Sequence, residues 1–190
     1  MTHNGSYWFD SLEAPYAQAA SMPLPAAVDV AIIGGGYTGL WTAHYLNELN
    51  PSLKIAVLEA ETFGFGASGR NGGWCMGTAH GVDALLAQPE SRGAGLTLAR
   101  AMQATVDEIG QVAKSLGIDC HFKKGGNLTV ATQAFQVPQL QAALQHLREL
   151  GFSEEDYAWL PADEAQQRVQ MQHNHGALFT PHCAAIHPAR

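Results

Sequence analysis

The fold is decided by residues 28–59, which read VDVAIIGGGYTGLWTAHYLNELNPSLKIAVLE. This stretch contains a short apolar run at 30–33, a glycine turn, a helical run that ends at Pro51, and a second apolar run at 54–58. Apolar runs of this length are typical of strands covered on both faces in a parallel sheet. The order strand, glycine turn, helix, strand and acid turns a weak GxGxxG pattern into a prediction of a dinucleotide-binding unit.

The glycines and the start of the helix each predict a contact. Gly34 permits the tight turn out of the first strand, Gly36 lets the backbone approach a pyrophosphate, and Gly39 lets the helix pack closely on the sheet. The helix N-terminus near Thr38 offers N–H groups and the positive end of a dipole to the phosphates. The alternative for these glycines is an ordinary turn-rich loop between two strands.

The acid at the end of the second strand indicates which nucleotide is bound. Glu59 follows Gly39 by 20 residues, the spacing at which a carboxylate accepts both hydroxyls of an adenosine ribose. The same carboxylate would repel a 2′-phosphate, so NADP is disfavoured. Taken without the glycines, Glu59 would be interpreted as a solvated carboxylate at a strand end.

A second glycine-rich loop follows at once, at residues 64–73, and reads GFGASGRNGG. Ser68, Arg70 and Asn71 give this loop a hydroxyl, a cation and an amide. Such a loop can wrap a phosphate and then run along a planar ring. The alternative is a flexible surface loop, and for Arg70 a phosphate contact or a structural ion pair is preferred to a catalytic role.

Composition limits the class of protein. The chain has 190 residues, which fits one domain or one domain with part of a second, and 46% of them are hydrophobic. A net charge of −7 predicts no nucleic-acid partner, and no apolar run is long enough to predict a membrane span. Residues 1–27 lack the basic start of a signal peptide, and the three cysteines form no CxxC pair. Both features predict a protein of the reducing cytoplasm.

The quoted motifs resemble those of the D-amino-acid-oxidase-type flavoproteins, and most of all their gamma-glutamylputrescine oxidase branch. Residues 29–40, 57–59 and 64–73 carry the resemblance, which continues more weakly to residue 190. It implies FAD as the cofactor and a small-molecule amine as the substrate, oxidised at its CH–NH bond by hydride transfer to the flavin. The implied cofactor-binding residues are Gly34, Gly36, Thr38 and Gly39 at the pyrophosphate turn, Glu59 on the ribose, Ser68 at the phosphates, and Asn71, Gly72 and Gly73 near the isoalloxazine.

The predicted fold class is α/β, a Rossmann-like FAD-binding βαβ domain with part of an inserted α+β substrate domain. The implied division is a leader at 1–27, the FAD-binding part at 28–117, a partial substrate domain at 118–184, and a truncated return to the FAD domain at 185–190. We expect a helix that begins after Pro89 and ends at Leu116, a second from Pro138 to Gly151, and a third over 161–169. We expect strands at 118–122, 128–132 and 177–180.

The resemblance also implies that the chain is an N-terminal fragment, since proteins of the family are about twice this long. A complementing C-terminal chain is therefore an expected partner. An inactive truncated fragment and an NAD-binding dehydrogenase domain remain the alternatives. No catalytic residue is identified from the sequence. No metal site is predicted, because the spacing of the histidines at 173, 175, 182 and 187 is not that of a ligand set.

Overall fold

The computed structural model describes residues 5–12 and 23–190. Within them the chain forms two compact units. The first contains the described residues up to Gly73 together with His187–Arg190, and the second is Trp74–Ile186. Of the predicted leader, residues 1–4 and 13–22 lie outside the described residues.

The first unit contains the predicted strand–helix–strand motif. Strands β1 (Val30–Ile33) and β2 (Ile55–Leu58) are parallel and are joined through helix α2 (Tyr37–Leu49). The register runs from Val30 opposite Ile55 to Ile33 opposite Leu58. A short helix, α1 (Tyr7–Asp10), precedes this motif, and a single 3-10 turn spans Ala67–Gly69. The Rossmann-like part of the predicted fold is confirmed.

One face of this small sheet is not covered within the described residues. Helix α2 packs against the Ile32 side, where Gly39 approaches the strand. Ala31 and Ile33 alternate onto the other face, and Ile33 is 89% exposed. The expectation that β1 is covered on both faces is therefore wrong for this chain, because one crossover helix can cover only one face of two strands.

The second unit combines two antiparallel sheets with helices. One sheet has the strand order β3-β8-β4 and the other has the order β5-β7-β6. Its elements are β3 (Trp74–Met76), α3 (Val82–Ala87), α4 (Arg92–Ser115), β4 (Lys123–Lys124), β5 (Asn127–Val130), α5 (Gln136–Glu149), β6 (Ala158–Leu160), α6 (Ala162–Arg168), β7 (Ala177–Thr180) and β8 (Cys183–Ala185). The buried cores are Val82, Leu86, Ala99, Leu150 and Phe152 in one cluster and Leu160, Ala165 and Ala177 in another.

The strand predicted at 118–122 is wrong. Gly117 has a φ of +66° and ends α4, as predicted, and the N–H of Ile118 then bonds back to the carbonyl of Ala113 at 2.8 Å. With the bond from the N–H of Gly117 to the carbonyl of Lys114 at 3.3 Å, this forms a Schellman cap, which holds Ile118 at the helix end. His121 also has a positive φ, +53°, so pairing with β8 begins only at Lys123. Local strand propensity is overridden here by the helix cap.

The compact units divide the chain at other positions than the predicted domains. The breaks lie after Gly73 and after Ile186, so α4 belongs to the second unit, whereas the sequence assigned residues 28–117 to FAD binding. The functional division stays a prediction.

None of the helices in the described part of the chain is long and apolar enough to cross a membrane.

A buried polar network ties helix α4 to the segment before β6. Asp156 is 4% exposed and accepts bonds from the Arg100 guanidinium, from the N–H of Ser153 at 2.7 Å and from the Ser153 hydroxyl at 2.9 Å. The Nε2 atom of His182 lies 3.3 Å from the same carboxylate. Burial raises the pKa of Asp156, but the bonds from Arg100 and Ser153 outweigh it and lower the pKa from 3.8 to about 2.

The free energy of unfolding is therefore expected to depend on Asp156 at acid pH. A carboxyl with a lowered folded pKa stabilises the fold above its unfolded pKa, and the stabilisation is lost as pH falls through the folded pKa. Since Arg100 is half exposed, we expect a loss of about 1–2 kcal/mol between about pH 4 and pH 2. Urea unfolding across this range should show that loss in the wild type and a smaller one in Asp156→Asn. Asp163→Asn, which changes an exposed carboxylate, is the matched control. A pH dependence in Asp156→Asn equal to that of the wild type would contradict the role of Asp156.

Candidate cofactor site

The first glycine turn joins β1 to the N-terminus of α2. Gly34 has a φ of +100°, a conformation that favours glycine, and an added Cβ there would meet nothing within 4 Å. Its N–H donates to the carbonyl of Leu58 at 2.7 Å, which fixes the turn to the end of β2. Gly36 is the N-cap of α2, and Thr38 lies in the first turn of that helix. Gly34 is the open position of the turn, whereas an added Cβ at Gly35 would lie 2.3 Å from the Phe63 ring and one at Gly36 would lie 2.9 Å from Oγ of Ser68.

Gly39 makes the close helix–strand contact that the motif predicts. A Cβ added at Gly39 would lie 2.1 Å from the carbonyl oxygen of Gly34 and 3.3 Å from Cγ2 of Ile32. The first of these is a backbone atom, so a side chain at residue 39 would force the helix away from the turn. Gly39 is buried and fixes where α2 begins relative to β1. Its contact with a cofactor stays a prediction.

Glu59 has a structural role that sequence reasoning missed. Its Oε2 atom accepts the N–H of Gly35 at 2.7 Å, and its Oε1 atom accepts the N–H of Glu61 at 3.1 Å. The Gly35 bond, followed by the Glu61 bond, lowers the pKa of Glu59, so the side chain is ionised at neutral pH. An ionised carboxylate has about four acceptor positions, which leaves capacity for ribose hydroxyls. The predicted ribose contact stays a prediction.

The two glycine-rich loops are bonded to each other. The N–H of Gly64 donates to the carbonyl of Gly35 at 2.9 Å, and the Ser68 hydroxyl accepts the N–H of Tyr37 at 2.9 Å. Ser68 therefore lies at the N-terminus of α2, where the phosphates are expected. The N–H of Tyr37, one of the amides at this helix N-terminus, is therefore bonded to Ser68. The loops are 31 residues apart at this bond, so the local motif could not indicate it.

The end of the second loop is closed by one side chain. The Asn71 side-chain amide donates to the carbonyl of Ser68 at 2.7 Å, and its oxygen accepts the N–H of Gly73 at 2.8 Å. Gly73 has a φ of +67°, and Gly72 is exposed with nothing within 4 Å of an added Cβ. The predicted residues Asn71, Gly72 and Gly73 thus form a preshaped corner in which Gly72 is exposed and Gly73 is buried. Arg70 lies outside it, with its guanidinium over the Phe65 ring and its Nε bonded to the Phe65 carbonyl.

The N-terminal segment also contacts this loop. The indole N–H of Trp8 donates to the carbonyl of Asn71 at 2.6 Å, and the Ser6 hydroxyl donates to the carbonyl of Gly69 at 2.5 Å. No spacing signal links Trp8 to a loop 63 residues away.

The residues present fit FAD. Gly34 leaves open space at the turn, the N-terminus of α2 adds a favourable dipole, and the ionised Glu59 suits a ribose. All nine predicted cofactor-binding residues lie in the first compact unit. No group of three or more metal-ligating side chains is found in the described ranges.

The second unit contains a separate cavity of about 150 Å³. Its polar lining includes Thr78, Asn127, Thr129 and Thr180, and its aromatic lining includes Tyr157. Burial raises the pKa of Tyr157, which is therefore neutral at physiological pH. The cavity can hold several water molecules or a small polar group.

Comparison with known proteins supports the same cofactor. The family model described as FAD dependent oxidoreductase matches residues 29–190. Gamma-glutamylputrescine oxidoreductase of Escherichia coli (strain K12) is 30% identical over 193 residues, which cover 99% of this chain and 43% of that protein. L-2-hydroxyglutarate dehydrogenase of Escherichia coli (strain K12) is 29% identical over 159 residues, covering 80% of this chain and 33% of that protein.

Solved structures show the same fold. The L-amino acid deaminase of Proteus vulgaris has a TM-score of 0.65 at 16% identity, covering 92% of this chain and 38% of that chain. The glycine oxidase of Bacillus cereus has a TM-score of 0.56 at 22% identity, covering 86% of this chain and 41% of that chain. The chain thus spans about two fifths of the length of these relatives. Since the family model matches nearly the whole sequence, the chain belongs to the family of FAD dependent oxidoreductases, and its cofactor is FAD.

Proposed function

We propose that the whole protein containing this chain oxidises the CH–NH bond of a small amine or amino acid, with a gamma-glutamyl amine such as gamma-glutamylputrescine as the substrate. The observation that carries the proposal is the bonded pair of glycine loops, joined at Gly35–Gly64 and at Tyr37–Ser68. These bonds bring the two glycine-rich turns together at the N-terminus of α2, where a dinucleotide with a planar ring would be held. The choice of gamma-glutamylputrescine as the substrate is supported by the 30% identity to gamma-glutamylputrescine oxidoreductase across 99% of this chain.

In this proposal the chain's own residues bind and orient the cofactor. Gly34, Gly36 and Thr38 hold the pyrophosphate at the start of α2, where N–H groups and the helix dipole favour negative charge. Gly39 keeps that helix end against β1, and Glu59 holds the adenosine ribose while its bond to Gly35 keeps the turn in place.

The second loop continues the site. Ser68 would hold the phosphates, and the corner of Asn71, Gly72 and Gly73 would hold the isoalloxazine. When bound, FAD supplies the acceptor for the hydride that leaves the amine-bearing carbon. Residues that bind the amine are expected mainly in the part of the protein that this chain does not include, because the chain spans only about two fifths of its relatives.

The uncovered sheet face supports a partner for this chain. Ile33 is 89% exposed on the side of β1 opposite α2. We propose that the remainder of the protein, or a complementing C-terminal chain, covers this face and completes the nucleotide sheet. The free thiols of Cys75, Cys120 and Cys183 support a reducing compartment such as the cytoplasm.

Of the alternative functions, the NAD-binding dehydrogenase domain is disfavoured by the family membership. The inactive fragment is a testable outcome.

The test of the function is anaerobic reduction of the bound flavin in the whole protein. Gamma-glutamylputrescine is expected to bleach the flavin absorbance, and oxygen is expected to restore it. Putrescine and glycine test the need for the gamma-glutamyl group, and L-2-hydroxyglutarate tests for oxidation of a CH–OH bond. Bleaching by L-2-hydroxyglutarate and by none of the amines would contradict the proposal. Bleaching by glycine alone would leave amine oxidation standing and overturn the gamma-glutamyl assignment.

A further inference from the structure

We propose that a cluster of N-terminal side chains, Ser6, Trp8 and Phe9, positions the second glycine loop for the flavin. We call this cluster the N-terminal clamp, and the inference rests on the proposed FAD site. Trp8 and Ser6 donate to two carbonyls of the loop, those of Asn71 at 2.6 Å and of Gly69 at 2.5 Å. An indole nitrogen can only donate, so the Trp8 bond defines the direction of the Asn71 carbonyl.

Phe9 holds the same loop by packing. A Cβ added at Gly69 would lie 2.5 Å from Cε2 of the Phe9 ring, and one at Gly64 would lie 3.5 Å from Cζ of that ring. The ring therefore rests on both ends of the 64–69 segment, in the space that a side chain at Gly69 would fill. The clamp thus contacts the loop at its start, at its middle and at Asn71.

The clamp is itself fixed within the first unit. Ser6 is 5% exposed and caps α1 by accepting the N–H of Trp8 at 3.3 Å. The Ser11 hydroxyl lies 3.0 Å from Nε2 of His187, and the rings of Trp8 and His187 meet edge to face at 5.1 Å. His187 is 7% exposed and belongs to the segment that returns to the first unit. A tether anchored in this way can restrict the loop.

The loop needs such a restriction because of its composition. Residues 64–73 include five glycines, and glycine loses more conformational freedom on ordering than any other residue. The Asn71 side chain bonds to the carbonyl of Ser68 and to the N–H of Gly73. Because Trp8 also holds the main-chain carbonyl of Asn71, the 71–72 peptide is fixed between these bonds. Trp8 is therefore a positioning residue, which acts on the flavin through Asn71.

The test is Trp8→Phe in the whole protein, which keeps an aromatic ring and removes the N–H. The dissociation constant for FAD is expected to rise about five- to thirtyfold. The visible circular dichroism of the remaining bound flavin is expected to change, a signal that a general loss of stability would not alter. Tyr7→Phe is the matched control, because Tyr7 lies in the same turn and is 73% exposed.

A second measurement does not depend on FAD. Amide hydrogen exchange of residues 64–73 is expected to be faster in Trp8→Phe than in the wild type and unchanged in Tyr7→Phe. Ser6→Ala is expected to act in the same direction and serves if Trp8→Phe fails to fold. Unchanged loop exchange with unchanged FAD affinity would overturn the clamp while leaving the flavin site intact. A wild-type protein that binds no FAD would overturn both the clamp and the proposed function.

Discussion

Gly39→Ala is expected to abolish retention of FAD and to destabilise the first unit. The added Cβ would lie 2.1 Å from the carbonyl oxygen of Gly34, and this oxygen belongs to the turn expected to hold the pyrophosphate. Relief requires α2 to move away from β1, which separates the helix N-terminus from the glycine turn. Overpacking of this kind costs about 1–3 kcal/mol, and more where the obstructing atom is backbone. Thermal unfolding and the flavin content after desalting measure the two effects.

The matched control is Gly93→Ala in the first turn of α4. An added Cβ at Gly93 meets nothing within 4 Å, and alanine is favoured over glycine in a helix by about 0.5–1 kcal/mol. This variant should keep its FAD and be as stable as the wild type or slightly more so. A Gly39→Ala protein that binds FAD as the wild type does would show that the close approach is not needed.

Glu59→Ala is expected to weaken FAD binding about ten- to hundredfold. The substitution removes the proposed ribose acceptor, and it also releases the N–H of Gly35 that the carboxylate holds at 2.7 Å. Glu59→Gln should have a smaller effect, because its amide oxygen can still accept from Gly35. Titration of the apoprotein with FAD, followed by flavin fluorescence, gives the affinities.

The acidity of Glu59 adds a pH dependence. Since the bonds from Gly35 and Glu61 lower its pKa, the contribution of Glu59 to FAD affinity should be constant at neutral pH. It should be lost only as pH falls below the usual range of a glutamate. Glu61→Ala, which removes an exposed neighbouring carboxylate, is the control and should bind normally. Equal affinities in Glu59→Ala and Glu61→Ala would contradict a role for Glu59.

Sequence predicted what depends on neighbours along the chain. The apolar runs at 30–33 and 54–58, the helix between them and the close approach at Gly39 all follow from local periodicity and glycine spacing. The Gly117 helix end was predicted for the same reason. The strand predicted at 118–122 does not form, because the Schellman bond at Ile118 outweighs the strand propensity of this segment.

Contacts between distant residues could not be predicted from spacing. Ser68 reaches Tyr37 across 31 residues, and Trp8 reaches Asn71 across 63. The spacing from Gly39 singles out Glu59, but its bond to Gly35 depends on how the end of β2 meets the turn. The three-residue strands β3, β6 and β8 carry too little alternation to be recognised. These long-range bonds join the two glycine motifs at the N-terminus of α2.

The most direct measurement is the absorbance spectrum of the purified whole protein, and of the 190-residue chain, after incubation with FAD and desalting. The expected result is a flavin spectrum near one FAD per chain in the whole protein, lost in Gly39→Ala and retained in Gly93→Ala. Retention by the 190-residue chain as well would show that the bonded glycine loops form the site without the rest of the protein. A colourless whole protein that is stabilised by NAD and not by FAD would contradict the flavin site.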